Sequence, residues 1–206
     1  GYRHVRTSTG IDVSYAKTGY GLSYSIDSLV SAGFSKRRLI AADEWDYLWQ
    51  RTLGYYQALG REAPEPTAES VVIFSPAVTA AMLDQFIVPN FSGQRILNGQ
   101  SAFRQSDFAE RTQRFADGLT LTIDPLRALE IGSYPLTSEG VPAQRTELVK
   151  NGCLVSPYLR LKEAKQWGIS PTALPSGTAN VYVIAARREE WHETVTGIED
   201  GVLVLS

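Results

Sequence analysis

Apolar and polar positions alternate with a period of two through the opening forty residues, with Val13, Tyr15 and Lys17 on one face and, after Gly19-Tyr20-Gly21, Leu22, Tyr24 and Ile26 on another. The pattern predicts strand, turn, strand, and Tyr2 to Thr7 already reads as a strand in progress. The period then changes. Asp43 can cap a helix, with Asp46 three positions on in an approximate capping box, and Trp45, Leu48, Trp49, Leu53, Tyr56 and Leu59 follow at helical spacing until Gly60. This aromatic-rich face reads as plain core rather than a cofactor box.

Arg61 to Glu69, with Pro64 and Pro66 among charges, reads as an exposed linker. Val71-Val72-Ile73-Phe74 is a continuous run of the kind found in a strand buried on both faces at a sheet centre. Pro76 opens a predicted helix through Val78, Ala81, Met82, Leu83 and Phe86 that should stop before Pro89, and Ser101 is expected to cap another through Phe103 and Phe108. Leu119, Leu121 and Ile123 alternate with Thr120 and Thr122 in a strand broken by Asp124-Pro125. Thr146 to Lys150 and Cys153 to Leu159 flank Asn151-Gly152, a strong hairpin signal because both residue types accept positive φ. Lys162 to Trp167 reads as a helix closed by Gly168, Asn180 to Ala185 as a buried strand, and Glu189 to Ile198 as a helix before a terminal strand. Most segments have period two and few have period 3.6, so the expected class is α+β with a largely antiparallel sheet and a few packed helices.

The chain has 206 residues, enough for a substantial core. Its net charge of -2 gives no electrostatic reason for direct nucleic-acid binding. A single cysteine, Cys153, cannot form an internal disulfide, which fits a reducing cytoplasm. No run approaches the roughly 18 consecutive apolar residues of a membrane span, so no membrane association is expected.

Candidate chemistry is sparse. His192-Glu193 begins like the zinc helix H-E-x-x-H, but Thr196 stands where the second histidine belongs. His4 has no acidic or thiol neighbour nearby in sequence and reads as a strand-edge residue, and Cys153 reads as a small buried hydrophobe. Neither a nucleophile elbow nor a phosphate-binding loop occurs. Ser138 to Thr146 is less plain, because a polar bend there delivers Glu139 and Arg145 to the end of a sheet, where loop residues often meet ligands.

The order of Val71-Val72-Ile73-Phe74-Ser75-Pro76, Ser92-Gly93, Asn98-Gly99-Gln100-Ser101 and Leu119 to Pro125 resembles the C-terminal domain of the TldD/PmbA family of metallopeptidases. Thr137-Ser138-Glu139-Gly140-Val141-Pro142 is similar to the family's acidic D-D-E-G-V-P loop, although Thr137 and Ser138 are not acidic. Glu147 to Leu154 with Tyr158-Leu159 resembles the hairpin that follows it, and Ser176 to Val183 and Arg188 to Val204 resemble the closing segments. Where catalytic members carry H-E-x-x-x-H on a helix, this chain has Ala77 to Val88 without a histidine.

The resemblance therefore implies the PmbA or TldE-like branch that lacks the zinc motif: one C-terminal-type domain over 1–206, incomplete at both ends relative to the family. It implies a metal-free subunit of a peptide-processing complex, with no cofactor, no catalytic residue and no metal ligand of its own. A TldD-like metal-bearing subunit, or self-association, would supply the partner, and a peptide the substrate. Contact with peptide or partner is expected at Thr137, Ser138, Glu139, Gly140, Arg145 and Asn180. Two other readings stay open: a hydrolase active by itself using Glu139, Asp124 or Asp84, and a non-enzymatic modulator of DNA gyrase.

Overall fold

Two antiparallel hairpins begin the chain in the computed structural model, which describes residues 1–8, 10–59, 69–175, 182–185 and 201–204. Strand β1 (Tyr2–Arg6) pairs with β2 (Asp12–Ala16), and β3 (Tyr20–Ile26) with β4 (Val30–Lys36). The two strands predicted around Gly19-Tyr20-Gly21 are thus real but are not each other's partners. Val13 lies opposite Val5 and Leu22 opposite Phe34. The reversal that decides β3's partner is made at Asp27 and Ser28, both at positive φ, with the Leu29 N–H closing onto the Ile26 carbonyl.

Helix α1 (Ala42–Ala58) packs on this second hairpin. Its cap is two residues earlier than expected: Ala41 is the N-cap, and Glu44 accepts the Ala41 N–H at 3.1 Å. Glu44 wins over Asp43 and Asp46 because the chain leaving β4 holds it from both sides, Lys36 at 2.8 Å and Arg38 at 2.6 Å. Those contacts, that with Arg38 foremost, keep its carboxyl well below the usual glutamate range. The inner face joins Trp45 to Tyr24 and Phe34 at ring separations of 5.5 and 6.3 Å. Its best-buried residue is the polar Thr52, bonded to the Tyr24 hydroxyl at 2.9 Å. Trp49 and Leu59, assigned to the apolar face by spacing, remain 39% and 56% exposed.

These elements, with Ala128–Ile131, form one compact unit (Gly1–Glu65); Pro66–Arg127 with Gly132–Ser206 forms a second. The second unit contains an antiparallel sheet of four strands in the order β8-β7-β6-β9, from β6 (Thr120–Ile123), β7 (Thr146–Lys150), β8 (Cys153–Leu154) and β9 (Tyr182–Ala185). The Asn151-Gly152 turn forms as predicted, with φ of 47° and 77°. A Cβ on Gly152 would lie 2.6 Å from the Phe115 carbonyl oxygen, so both conformation and space demand glycine. Strand β8 is much shorter than the predicted run to Leu159. After Val155 N–H bonds to Leu148, Pro157 has no N–H to give and Tyr158 N–H turns instead to the Phe91 carbonyl.

Strand β5 (Val71–Phe74) is not a sheet centre among the described residues. It pairs in parallel with β10 (Gly201–Val204), and Val71 and Val72 are each 50% exposed. Helix α2 (Pro76–Met82) is capped by Ser75, then widens into a π-helical turn at Leu83–Ile87 and tightens into a 3-10 turn at Val88–Phe91. Pro89 therefore does not stop the chain: it occupies the first turn, where no N–H is required. Helix α3 (Gly93–Leu97) follows. Ser101 caps no helix, because its hydroxyl donates to the Asn90 carbonyl at 2.6 Å and accepts the Phe103 N–H. Helix α4 (Gln105–Ala109) starts after Arg104, and α5 (Leu161–Trp167) ends at Gly168 with φ 78°, as expected.

The core of this unit gathers Phe91, Phe108, Leu121, Ile123, Leu148, Val149 and Leu154, with Phe103, Phe115 and Trp167 against them. The linker up to residue 68, Asn180 and the helix expected at Glu189 to Ile198, with its His192-Glu193 pair, lie outside the described residues.

Candidate functional site

The bend before β7 closes on itself. Thr137 N–H donates to the Val141 carbonyl at 2.8 Å, the Thr137 hydroxyl accepts the Val141 N–H at 3.1 Å, and Gly140 supplies a φ of 80°. Thr137 is buried. Thr137 and Gly140 therefore shape the turn rather than face a ligand, and Ser138 is exposed at its tip. Glu139 accepts the backbone N–H of Leu161 at 2.9 Å, so its carboxylate caps the start of α5. Arg145 lines an open groove.

The groove has a volume of 570 Å³ and runs along β7. One wall is Gln144, Arg145, Thr146 and Glu147, the other is Ile169 to Thr172, and Val155 and Ser156 complete the lining. The groove exists because β8 pairs with β7 only at Val149 and Lys150, which leaves the edge at Thr146 and Glu147 unclaimed by that strand. The far wall is fixed by Gln144 Nε2 on the Pro171 carbonyl, by Ala173 N–H on Thr146 Oγ1 at 3.0 Å, and by Thr172, whose N–H and hydroxyl both engage Leu159. Sequence spacing could not reveal it: only Arg145 on the near wall stood out, and the far wall lies beyond α5.

A second polar pair sits on the π-helical turn. The Tyr182 hydroxyl donates to Asp84 Oδ1 at 2.7 Å, joining β9 to the Leu83–Ile87 turn. Burial, and then this bond, push the Tyr182 phenol far above the usual tyrosine value. The carboxylates considered for a self-sufficient hydrolase each have their own partner: Asp84 has Tyr182, Glu139 has Leu161, and Asp124 accepts the Leu126 N–H. His4 does have an acidic neighbour after all, since the β1–β2 hairpin brings Asp12 Oδ1 to 2.6 Å from its Nε2. Cys153 is half-buried.

The architecture defines a mixed α/β protein with mainly antiparallel sheets, and its groove is lined by hydroxyl, amide and charged groups together with Val155, Ile169 and Pro171. A model of the PmbA/TldA metallopeptidase C-terminal domain matches residues 67–206, and the chain belongs to that family. The fold is shared with TldE from Thermococcus kodakarensis, at a TM-score of 0.80 and 22% identity over 100% of this chain and 49% of that one. It is also shared with a DNA gyrase modulator candidate from Thermotoga maritima, at a TM-score of 0.78 and 19% identity over 100% of this chain and 49% of the other. A protein described as a metalloprotease, from Methanothermobacter thermautotrophicus, is 25% identical over 157 residues, which is 76% of this chain and 33% of the relative. The chain thus spans about half the length of these structures and about a third of that relative.

Membership in a metallopeptidase family raises the question of zinc. Between Ala77 and Val88 the only carboxylate is Asp84, engaged with Tyr182, and no histidine or cysteine occurs. Among the described residues no group of three His, Cys, Asp or Glu side chains comes together. The residues present there do not fit a metal centre of the H-E-x-x-x-H kind. Among the described residues, no helix is long and apolar enough to cross a membrane.

Proposed function

We propose that this chain is a TldE/PmbA-like, metal-free subunit of a peptide-processing assembly, acting in the cytoplasm beside a TldD-like metal-bearing subunit, with the whole of 1–206 belonging to one C-terminal-type region. The observation that carries the reading is the groove along β7. Its unclaimed strand edge offers backbone hydrogen bonds to an extended peptide, and its walls offer Arg145, Glu147, Ser156 and Ser170 to that peptide's side chains. A groove of this kind binds without cleaving. Family membership supports the peptide context, and the donor set between Ala77 and Val88 supports assigning the metal to a partner.

Within this reading Arg145 contacts the peptide and Ser138 is free to meet the partner, while Thr137, Glu139 and Gly140 hold the loop. The test is reconstitution with a TldD-type subunit and a peptide substrate. Arg145→Ala should raise KM several-fold while leaving assembly and the melting temperature unchanged. Peptide cleavage by this chain alone, with about one zinc per chain surviving mild chelation, would replace the subunit reading with the self-sufficient hydrolase. Coprecipitation with gyrase and not with a TldD-type chain would replace it with the modulator.

A further inference from the structure

We infer that the groove along β7 selects peptides by a carboxylate: the extended segment it takes carries an acidic group facing Arg145 and a neutral or basic side chain facing Glu147. The inference rests on the peptide reading of the groove and adds the chemistry that chooses among peptides. Several of the groove's polar groups are already spent inside the fold. Gln144 Nε2 donates to the Pro171 carbonyl, and Thr146 Oγ1 accepts the Ala173 N–H. Thr172 Oγ1 accepts from Leu159 and donates to the Ala173 carbonyl, while Ser156 gives its proton to the Pro157 carbonyl at 2.8 Å. Arg145 and Ser170 are left over, both exposed and with no hydrogen-bond or ion-pair partner for their side chains among the described residues. A guanidinium and a hydroxyl donor with nothing to donate to, set beside the apolar Val155, Ile169 and Pro171, fit an anionic group on an otherwise uncharged segment. The anion that a peptide carries is a carboxylate, which the planar guanidinium fork can hold with two parallel bonds.

Glu147 is the other charge in the lining. Burial alternates along the wall, with Thr146 and Leu148 buried and Arg145 and Glu147 not, so the two charges share a strand face about 7 Å apart. An extended peptide has the same two-residue repeat, so an acidic side chain facing Arg145 brings a residue two positions away to Glu147. Lys150 stands 3.5 Å from Glu147, a contact too exposed to cancel its charge. A lysine brought there is attracted and an acid repelled, so the groove reads the order of charges as well as their sum.

The test measures binding of dye-labelled hexapeptides, blocked at the C-terminus and built of alternating valine and threonine with one central glutamate, glutamine or lysine, to the 206-residue chain by fluorescence anisotropy at low salt. The glutamate peptide should bind about fivefold tighter than the glutamine peptide, the scale of a solvent-exposed charge pair, and the lysine peptide more weakly than either. Arg145→Gln should erase the preference while leaving the glutamine peptide's affinity unchanged, and Arg145→Lys should restore part of it. Arg95→Gln, at an exposed cation of α3 outside the lining, should change nothing. Of two peptides with a lysine two positions before or after the glutamate, one should bind more tightly than the other, and Glu147→Gln should abolish the difference; equal binding in the unaltered chain would overturn the role given to Glu147. A glutamine peptide with a free C-terminus distinguishes the source: a gain equal to that of glutamate assigns the site to a chain end, and no gain assigns it to an acidic side chain. Glutamate and glutamine peptides binding alike, or a preference kept in folded Arg145→Gln, would overturn the carboxylate inference and leave the peptide groove standing. No binding of any peptide would overturn both.

Discussion

Glu139 stands where the family resemblance puts an acidic loop, yet its carboxylate is bonded to the first backbone N–H of α5. If that bond is its main role, Glu139→Ala removes a helix cap, worth about 1 kcal/mol, together with the attraction of a negative charge for the helix N-terminus. Because Glu139 is partly exposed, the charge contribution falls near the low end, about 0.3 kcal/mol. A total of about 1–1.5 kcal/mol corresponds to a fall of roughly 3–6 °C in melting temperature for a unit of this size. Glu139→Gln keeps an acceptor oxygen and should lose less than half as much. The direct readout is amide hydrogen exchange at Leu161, which should accelerate strongly in Glu139→Ala and only slightly in Glu139→Gln. An unchanged Leu161 amide and an unchanged melt in Glu139→Ala would refute the capping argument and return Glu139 to the ligand-contact residues. The consequence for function is practical: replacing Glu139 and Arg145 together would confound helix docking with the proposed peptide contact, and Arg145→Ala alone separates them.

Further outcomes follow from other contacts. A Cβ on Gly93 would lie 2.2 Å from Leu159 Cδ2, and Leu159 is fully buried, so Gly93→Ala should cost about 1–3 kcal/mol by urea unfolding, partly recovered by Leu159→Val. Glu44 is more acidic folded than unfolded, so its contribution is present above its ordinary value of 4.5 and is lost as pH falls toward its folded value; acid titration followed by tryptophan fluorescence should show α1 loosening only well below 4.5, and Glu44→Gln should abolish that dependence. Tyr182 holds its proton more tightly folded than unfolded, so stability should fall as pH rises past the ordinary tyrosine value of 10.0, and denaturant melts of Tyr182→Phe should lack that decline while starting about 1 kcal/mol lower.

What the sequence made legible was decided by chemistry within a few residues. Asn151-Gly152 and Gly168 both need positive φ, and both turns stand where that need predicted them. The alternation of Leu119 to Ile123 is likewise local, and β6 occupies it. The misplacements share one cause, a distant group competing for a backbone or side-chain bond. Glu44 displaced Asp43 at the start of α1 because Lys36 and Arg38 arrive from β4. Strand β8 stopped early because Phe91 takes the Tyr158 N–H. Asp84 was visible as a carboxylate, but its partner Tyr182 is 98 positions away, and no periodicity reports such a contact.

The same competition explains why the groove lies where it does. Tyr158 exchanges backbone bonds with the segment around Ser92: its N–H goes to Phe91, and its carbonyl accepts the Gly93 N–H at 3.0 Å. That exchange draws the chain after Val155 away from β7, which ends β8 and leaves Thr146 and Glu147 unpaired by that strand, with Thr146 buried and its hydroxyl accepting the Ala173 N–H. It also fixes Leu159, to which Thr172 on the far wall is bonded at 2.7 Å. Several blocks that carry the family resemblance, Ser92-Gly93, the Asn151-Gly152 hairpin and the Glu139 loop, are therefore joints of one scaffold rather than contributors of reactive groups. The close fit of Gly93 on Leu159 then bears on binding as well as stability, because any side chain at 93 must move Leu159 and, through Thr172, the wall that an extended peptide would lie against.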